Sequence, residues 1–184
     1  ERLSKKLKMY RPYWLAVPKP MLLSDVMAKM GIKGYIGAYF NEPLVSTRLL
    51  PHEYPFTYVH ETAHVMGISS EAEANLYAFL ICTESDNPAV QASGYSALFG
   101  YVMNNARRVL PEEQYKELVA MVSPGALSLY EKEYEHWRDL YSSALGDIQG
   151  KLYDWFLKNN RISTGTKNYS EVIGYLMSYR EHYR

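Results

Sequence analysis

Residues 55–64 read Pro-Phe-Thr-Tyr-Val-His-Glu-Thr-Ala-His, with two histidines four positions apart and a glutamate directly after the first. On an α-helix, positions i and i+4 lie about 40° apart around the axis, so the rings of His60 and His64 can reach one ion. Neutral imidazole is a good ligand for zinc, and Glu61 is placed to activate a water molecule at the ion. The spacing therefore predicts a site for one Zn²⁺ ion, with His60 and His64 as ligands and Glu61 as the catalytic base.

A catalytic zinc site needs a third protein ligand and an open fourth position. Gly67 can end the first helix in a left-handed conformation and turn the chain back. Ser70 is then the predicted N-cap of the next helix, and Glu73 falls at the capping-box position, where its role is structural. Glu71 is left free to face the ion, and we predict it as the third ligand.

Other residues compete for roles in this site. Glu73 is the first alternative to Glu71 as the third ligand, and the distant His136 and His182 are the others. Asn75 lies one helical turn beyond Glu71 on the same face, where it is placed to hydrogen-bond a ligand.

The bulk composition describes an ordinary folded protein. The chain has 184 residues, enough for a single domain with its own hydrophobic core. Twenty basic residues balance twenty acidic ones, so no overall field favours nucleic acid, and we predict no nucleic-acid partner. The single cysteine, Cys82, lies in an apolar stretch and is predicted to be a small buried core residue.

The pattern along the chain predicts a mainly α domain with a small β element, an α+β fold that occupies residues 1–184 as one unit. The two predicted strands cover residues 35–40 and 44–47, and either could offer an edge to an extended peptide or merely cover the core. Glu131, Lys132, Glu133 and Glu135 are read as a solvated helix face. The predicted helices are 22–30, 56–66, 70–83, 89–110, 112–122, a long stretch 127–158 that bends or divides at Gly146 or Gly150, and 169–183.

Here the chain resembles families that are already known. The order Glu-x-x-Ala-Asn at positions 71–75, after His-Glu-x-x-His, resembles the helix that supplies the glutamate ligand in gluzincin peptidases. More closely, the chain resembles a bacterial family designated domain of unknown function 3810. That resemblance is carried by Pro55-Phe56-Thr57-Tyr58-Val59 before the histidines, by Gly67 and residues 71–75 after them, and by weaker matches in the same order at Lys19-Pro20, Leu23-Ser24, Gly31-Ile32, Gly34-Tyr35, Glu42, Phe156-Leu157-Lys158, Asn160, Gly165 and Tyr169.

These resemblances imply a zincin-like metallopeptidase core with Glu71 as the third ligand. They also imply a membrane-anchored bacterial protein whose domain lies outside the cytoplasm. Residues 1–20 would then be a linker or tether from a missing N-terminal membrane anchor. Tyr169 belongs to the family pattern and is a candidate donor to a developing oxyanion, with a packing role as the alternative.

Two functional hypotheses follow from the sequence. The first is a zinc-dependent metallopeptidase that acts on a peptide or protein substrate, with Glu61 as general base. The second is a zinc-stabilised, non-catalytic binding or sensory domain of a bacterial membrane protein. Hydrolysis of a non-peptide amide by the same chemistry is a third option.

Overall fold

The computed structural model of the chain describes residues 17–37, 40–147, 150–151 and 171–183. These residues form a small sheet followed by a series of helices. In chain order, the elements are β1 (Lys19–Pro20), α1 (Ser24–Lys29), β2 (Gly34–Gly37), β3 (Glu42–Val45), α2 (Tyr54–Val65), α3 (Glu71–Thr83), α4 (Pro88–Val109), α5 (Glu112–Met121), α6 (Pro124–Leu140) and α7 (Val172–Tyr183), with a short helical stretch at 143–147 between the last two.

The sheet has three strands in the order β1-β3-β2. Strand β1 pairs in parallel with β3, and β2 pairs with β3 as an antiparallel hairpin in which Gly34 lies opposite Val45 and Gly37 opposite Glu42. Asn41 in the hairpin loop adopts a positive φ of 51°, and its side-chain amide donates to the carbonyl of Val65 at the end of α2. The hairpin is therefore fixed against the helix that carries the histidine motif.

Several helices begin where a polar side chain caps exposed backbone N–H groups. The side chains of Ser70, Asn87 and Ser123 accept hydrogen bonds from the first turns of α3, α4 and α6. A proline follows the cap in α4 and in α6, at a position where its missing N–H costs nothing. Local sequence thus sets the start of these three helices.

The core lies where α2, α3, α4 and α7 meet. Gly94 of α4 sits so close to α3 that a Cβ placed on it would lie 2.8 Å from the Cβ of Cys82. Cys82 is fully buried as predicted, and burial raises the pKa of its thiol to about 11. The buried residues of this cluster are Phe56, Ala72, Ala78, Cys82, Leu98 and Val172.

The predicted fold class, mainly helical with a small sheet, is confirmed, and the bounds of α1 to α5 agree with the predicted helices to within about two residues. The prediction of two strands was incomplete. Lys19 and Pro20, which the predicted linker 1–20 included, pair with β3 as a third strand. The local sequence around Pro18 and Pro20 did not predict a strand, because proline is uncommon in strands and this pairing depends on where β3 lies.

The long helix predicted at 127–158 was expected to bend or divide at Gly146 or Gly150, but it ends earlier. Helix α6 starts earlier, at Pro124, and ends at Leu140. Tyr141 is extended, and the backbone N–H of Ser142 donates to the carbonyl of Lys29, so a tertiary contact rather than Gly146 or Gly150 breaks the helix. The remainder of that prediction, beyond residue 151, lies outside the described residues, as do Tyr169 and most of the predicted linker.

Within the described residues, none of the helices combines the length and apolar character that crossing a bilayer requires.

Candidate metal centre

Helices α2 and α3 bring three potential ligand side chains together. His60 and His64 lie one turn apart near the end of α2, and Glu71 is the first residue of α3. The connecting turn depends on Gly67, whose φ of 93° lies in the left-handed region predicted from the sequence. Because the turn is this tight, the start of α3 returns to the face of α2 that carries the histidines.

The three ligand atoms form a nearly equilateral triangle. The Nε2 atoms of His60 and His64 are 3.1 Å apart, and Oε2 of Glu71 lies 3.2 Å from the first and 3.5 Å from the second. Among the described residues, this is the one group of three or more such side chains that could hold a metal ion.

Hydrogen bonds orient the ring of His64. Its Nδ1 lies 2.6 Å from the carbonyl oxygen of Ile68, just after the Gly67 turn, and donates to it. In the neutral ring, that bond keeps the proton on Nδ1, so the lone pair is on Nε2, which faces the cluster. The ring of His60 stacks on Phe56, one turn earlier in α2, with ring centroids 6.3 Å apart.

The charges of the cluster stabilise one another. Burial alone would raise the pKa of Glu71, but hydrogen bonds to His60 and His64 and their charges hold that pKa well below its usual range. Burial alone would lower the pKa of His64, yet the Glu71 carboxylate and the Ile68 carbonyl raise it. The carboxylate is thus ionised and faces two imidazoles.

Glu61 lies beside this triangle and is only 5% exposed. Burial raises the pKa of its carboxyl group to about 7, while His60 and His64 oppose the rise and Glu71 adds to it. Strand β2 covers the side chain so closely that a Cβ at Gly34 would lie 2.6 Å from Oε1 of Glu61. A glycine in β2 is therefore what leaves room for this carboxylate.

The structure separates Glu71 from its competitors. Glu73 is exposed, and its backbone N–H is capped by the Ser70 hydroxyl 3.3 Å away, as predicted. His136 contacts the carbonyl of Arg48 at 2.7 Å, and neither it nor His182 belongs to the cluster.

The predicted hydrogen bond from the Asn75 amide group to a ligand is not observed. Asn75 is buried close behind Glu71 in α3, but its Nδ2 has no hydrogen-bond partner. In the described part of the chain, the other buried side-chain nitrogen or oxygen atom without a hydrogen-bond partner is His60 Nδ1.

The order of the strands determines which strand has an unpaired edge near the candidate site. The predicted strand 44–47 is observed as β3 at Glu42–Val45, and its Leu44 and Val45 pair with β1 on one side and β2 on the other, so they offer no free edge. Strand β2 has β3 on one side, and within the described residues its other edge is unpaired. The open edge next to Glu61 is therefore that of β2.

The sequence analysis did not find a second group of charged side chains, which lies near the candidate metal ligands. Lys33 Nζ lies 2.6 Å from Glu53 Oε1 and 2.9 Å from Glu133 Oε1, and Trp137 Nε1 donates to Glu53 at 2.7 Å. The interpretation of Glu133 as part of a solvated face was wrong, since its side chain is only 16% exposed, whereas Glu131, Lys132 and Glu135 are exposed. The signal that could have revealed this inward face of α6 is the row Tyr130, Glu133 and Trp137 at helical spacing.

Comparison with known proteins identifies a family without assigning an activity. No curated protein and no solved structure matches the chain significantly. The family model described as "Protein of unknown function (DUF3810)" matches residues 1–177, nearly the whole chain. The chain therefore belongs to this family, the one that the histidine motif and its flanking residues had suggested.

Proposed function

We propose that this domain is a zinc-dependent peptidase of the gluzincin type, with a zincin-like core. His60, His64 and Glu71 hold one Zn²⁺ ion, and Glu61 is the general base. The observation that carries the proposal is the convergence of the three ligand atoms to separations of 3.1–3.5 Å beside a buried glutamate.

The donor set fits zinc. Ligand atoms about 2.0–2.2 Å from a tetrahedral Zn²⁺ ion are about 3.3–3.6 Å from one another, close to the observed separations. Two imidazoles and one carboxylate leave a fourth position open, which is typical of catalytic rather than structural zinc sites.

The residues of the chain divide the chemistry between them. A zinc ion bound here supplies a Lewis acid that makes water more acidic and polarises the carbonyl of the scissile bond. Glu61 accepts a proton from the attacking water while the water oxygen forms a bond to the carbonyl carbon. When the carbon–nitrogen bond breaks, Glu61 transfers that proton to the departing amine.

The unpaired edge of β2 supports a peptide substrate. A peptide in extended conformation can add to that edge through main-chain hydrogen bonds, with Glu61 directly beneath Gly34. An edge strand next to the base supports a peptide or protein substrate over a compact small molecule.

The test compares the wild-type protein with Glu61→Gln on a diverse peptide library, read by mass spectrometry. We expect the wild type to cleave peptides and to lose that activity with a zinc chelator. Glu61→Gln should keep one zinc per chain and lose at least about a hundredfold in rate, because a general base contributes about 10²–10⁴-fold.

Turnover close to wild type in Glu61→Gln would mean that another group is the base. Zinc-loaded wild type that cleaves no member of the library would instead favour the non-catalytic binding or sensory domain.

A further inference from the structure

A cavity of about 460 Å³ lies between the chain segment that leads into β2 and helix α6. Four of its wall residues are aromatic, and Gly31 opens one side of it. Its lining consists of Gly31, Lys33, Tyr130, Glu133, Tyr134, Trp137, Arg138 and Tyr141. This volume is within the usual range for small-molecule and side-chain binding pockets.

The charges in the wall already have partners. Lys33 is bound by Glu53 and Glu133 and sits 5.0 Å from the centre of the Trp137 ring, and Arg138 pairs with Asp139 at 3.0 Å. Each of these charged groups therefore has a partner of opposite charge within the protein. A molecule in this cavity would therefore contact mainly the aromatic rings of its wall.

The Trp137 ring is held in place before any ligand arrives. Its Nε1 donates to Glu53 Oε1, and the same oxygen accepts from Lys33. Glu53 is itself buried, and its other oxygen accepts the backbone N–H of Leu50. A ring fixed in this way gives a preorganised face on which a second ring can stack.

The cavity lies next to the metal cluster. Lys33 is in its wall, and the following residue, Gly34, is the one that covers Glu61. Because Lys33 directly precedes β2, a peptide paired along this strand would reach the cavity wall at its Gly34 end.

We propose that this cavity is the specificity pocket of the enzyme and receives an aromatic side chain of the peptide substrate. The inference rests on the proposed function and adds to it the class of residue selected. Tyr134 is the informative wall residue, because it is 60% exposed and its removal leaves the core intact. Tyr95 is a matched control, since it is 61% exposed, lies on α4 and is not part of the cavity wall.

The first experiment measures selectivity on a peptide identified by library cleavage and synthesised with either phenylalanine or alanine at each position near the cut. At one position, the wild type should prefer phenylalanine. Tyr134→Ala should lower kcat/KM for that peptide about tenfold, as expected for the loss of one ring contact, and leave the alanine peptide unchanged. Tyr95→Ala should match the wild type on both. A wild type that shows no preference for aromatic residues at any position overturns the proposal.

A second experiment measures binding without catalysis. N-acetyl-phenylalaninamide, with N-acetyl-alaninamide as the control compound, is added to the Glu61→Gln protein and followed by saturation-transfer NMR. Ring-proton signals that are present in Glu61→Gln, retained with Tyr95→Ala and lost with Tyr134→Ala support the pocket. Their absence from all three proteins overturns it.

The two proposals fail in different ways. If the wild type cleaves peptides but shows neither aromatic preference nor binding, the peptidase stands and the pocket fails. If the aromatic amide binds but zinc-loaded protein cleaves nothing, the proposed function fails, and with it the substrate role of the pocket.

Discussion

Replacing Gly34 by alanine tests whether strand β2 positions the catalytic base. An added Cβ would lie 2.6 Å from Oε1 of Glu61, 2.8 Å from its Cγ and 3.0 Å from its Cδ. Ordinary contacts begin near 3.4 Å, so the carboxylate or the strand has to move by about 0.8 Å. Displacements of about 1 Å cost on the order of a hundredfold in rate when they affect a positioned group.

We therefore expect Gly34→Ala to lower kcat about a hundredfold while the zinc content stays at one ion per chain. The ligands His60, His64 and Glu71 are not touched by the new methyl group, so metal binding and catalysis should separate. The assay is the turnover of a peptide found by library cleavage, together with elemental analysis for zinc. Thermal unfolding checks that the variant is folded, because such crowding costs about 1–3 kcal/mol of stability.

Gly37→Ala is the matched control in the same strand. A Cβ at Gly37 would meet Leu44 Cδ1 at 3.4 Å and the Glu42 carbonyl at 3.6 Å, both ordinary contacts. This variant should retain wild-type activity. The reasoning would be refuted by a folded Gly34→Ala protein that turns over substrate within about twofold of the wild type, since a displaced base cannot act at full rate.

Three further experiments test the site and its support. Glu71→Gln should bind zinc much more weakly than the wild type, whereas Glu73→Gln, on the exposed side of the same helix turn, should bind it equally well in a competition titration with a chelator. Gly67→Ala should lower the free energy of unfolding by about 1–2 kcal/mol in urea, because the φ of 93° is unfavourable for alanine and nothing lies within 4 Å to compensate. Gly125→Ala, in a helix and equally uncrowded, should instead leave stability unchanged or raise it, and the opposite ranking of these two variants would disprove the conformational argument. Burial alone would raise the pKa of Glu133, but its interactions with neighbouring groups, chiefly the Lys33 ammonium, hold that pKa below its usual range. Its contribution to stability is therefore complete above its unfolded-state pKa of about 4.3 and is lost as the pH falls through the folded-state value. Urea unfolding between pH 3 and 7 should show a shallower acid loss for Glu133→Gln than for the wild type, and identical slopes would contradict this account.

Most of the ligand set could be predicted from the sequence because it depends on local geometry. The spacing of His60 and His64 fixes their common face on any helix. Gly67 and Ser70 specify where one helix ends and the next begins, and these two signals were enough to prefer Glu71 over Glu73. Each of these rules acts within about five residues, so no knowledge of the tertiary fold was needed.

The tertiary structure decided which residues surround that set. Gly34 appeared in the sequence only as one of the weaker family matches, yet it leaves room for the Glu61 carboxylate. Glu133 looked like one of several surface acids, yet it pairs with Lys33, a hundred positions away in the chain. Local patterns carry no information about such contacts, because they depend on how separate elements pack.

The unpaired strand edge beside Glu61 is a further feature that depends on the tertiary structure. The sequence predicted two strands near the histidine helix and could not say which one is available to a peptide. The pairing of Lys19–Pro20 with β3 places β3 in the centre and leaves β2 with its outer edge unpaired among the described residues. The sequence by itself determined the two histidines, the glutamate between them and the turn that leads to Glu71. Only the tertiary structure decided what covers the base and which edge lies beside it, since strand order depends on hydrogen bonds between segments far apart in the chain.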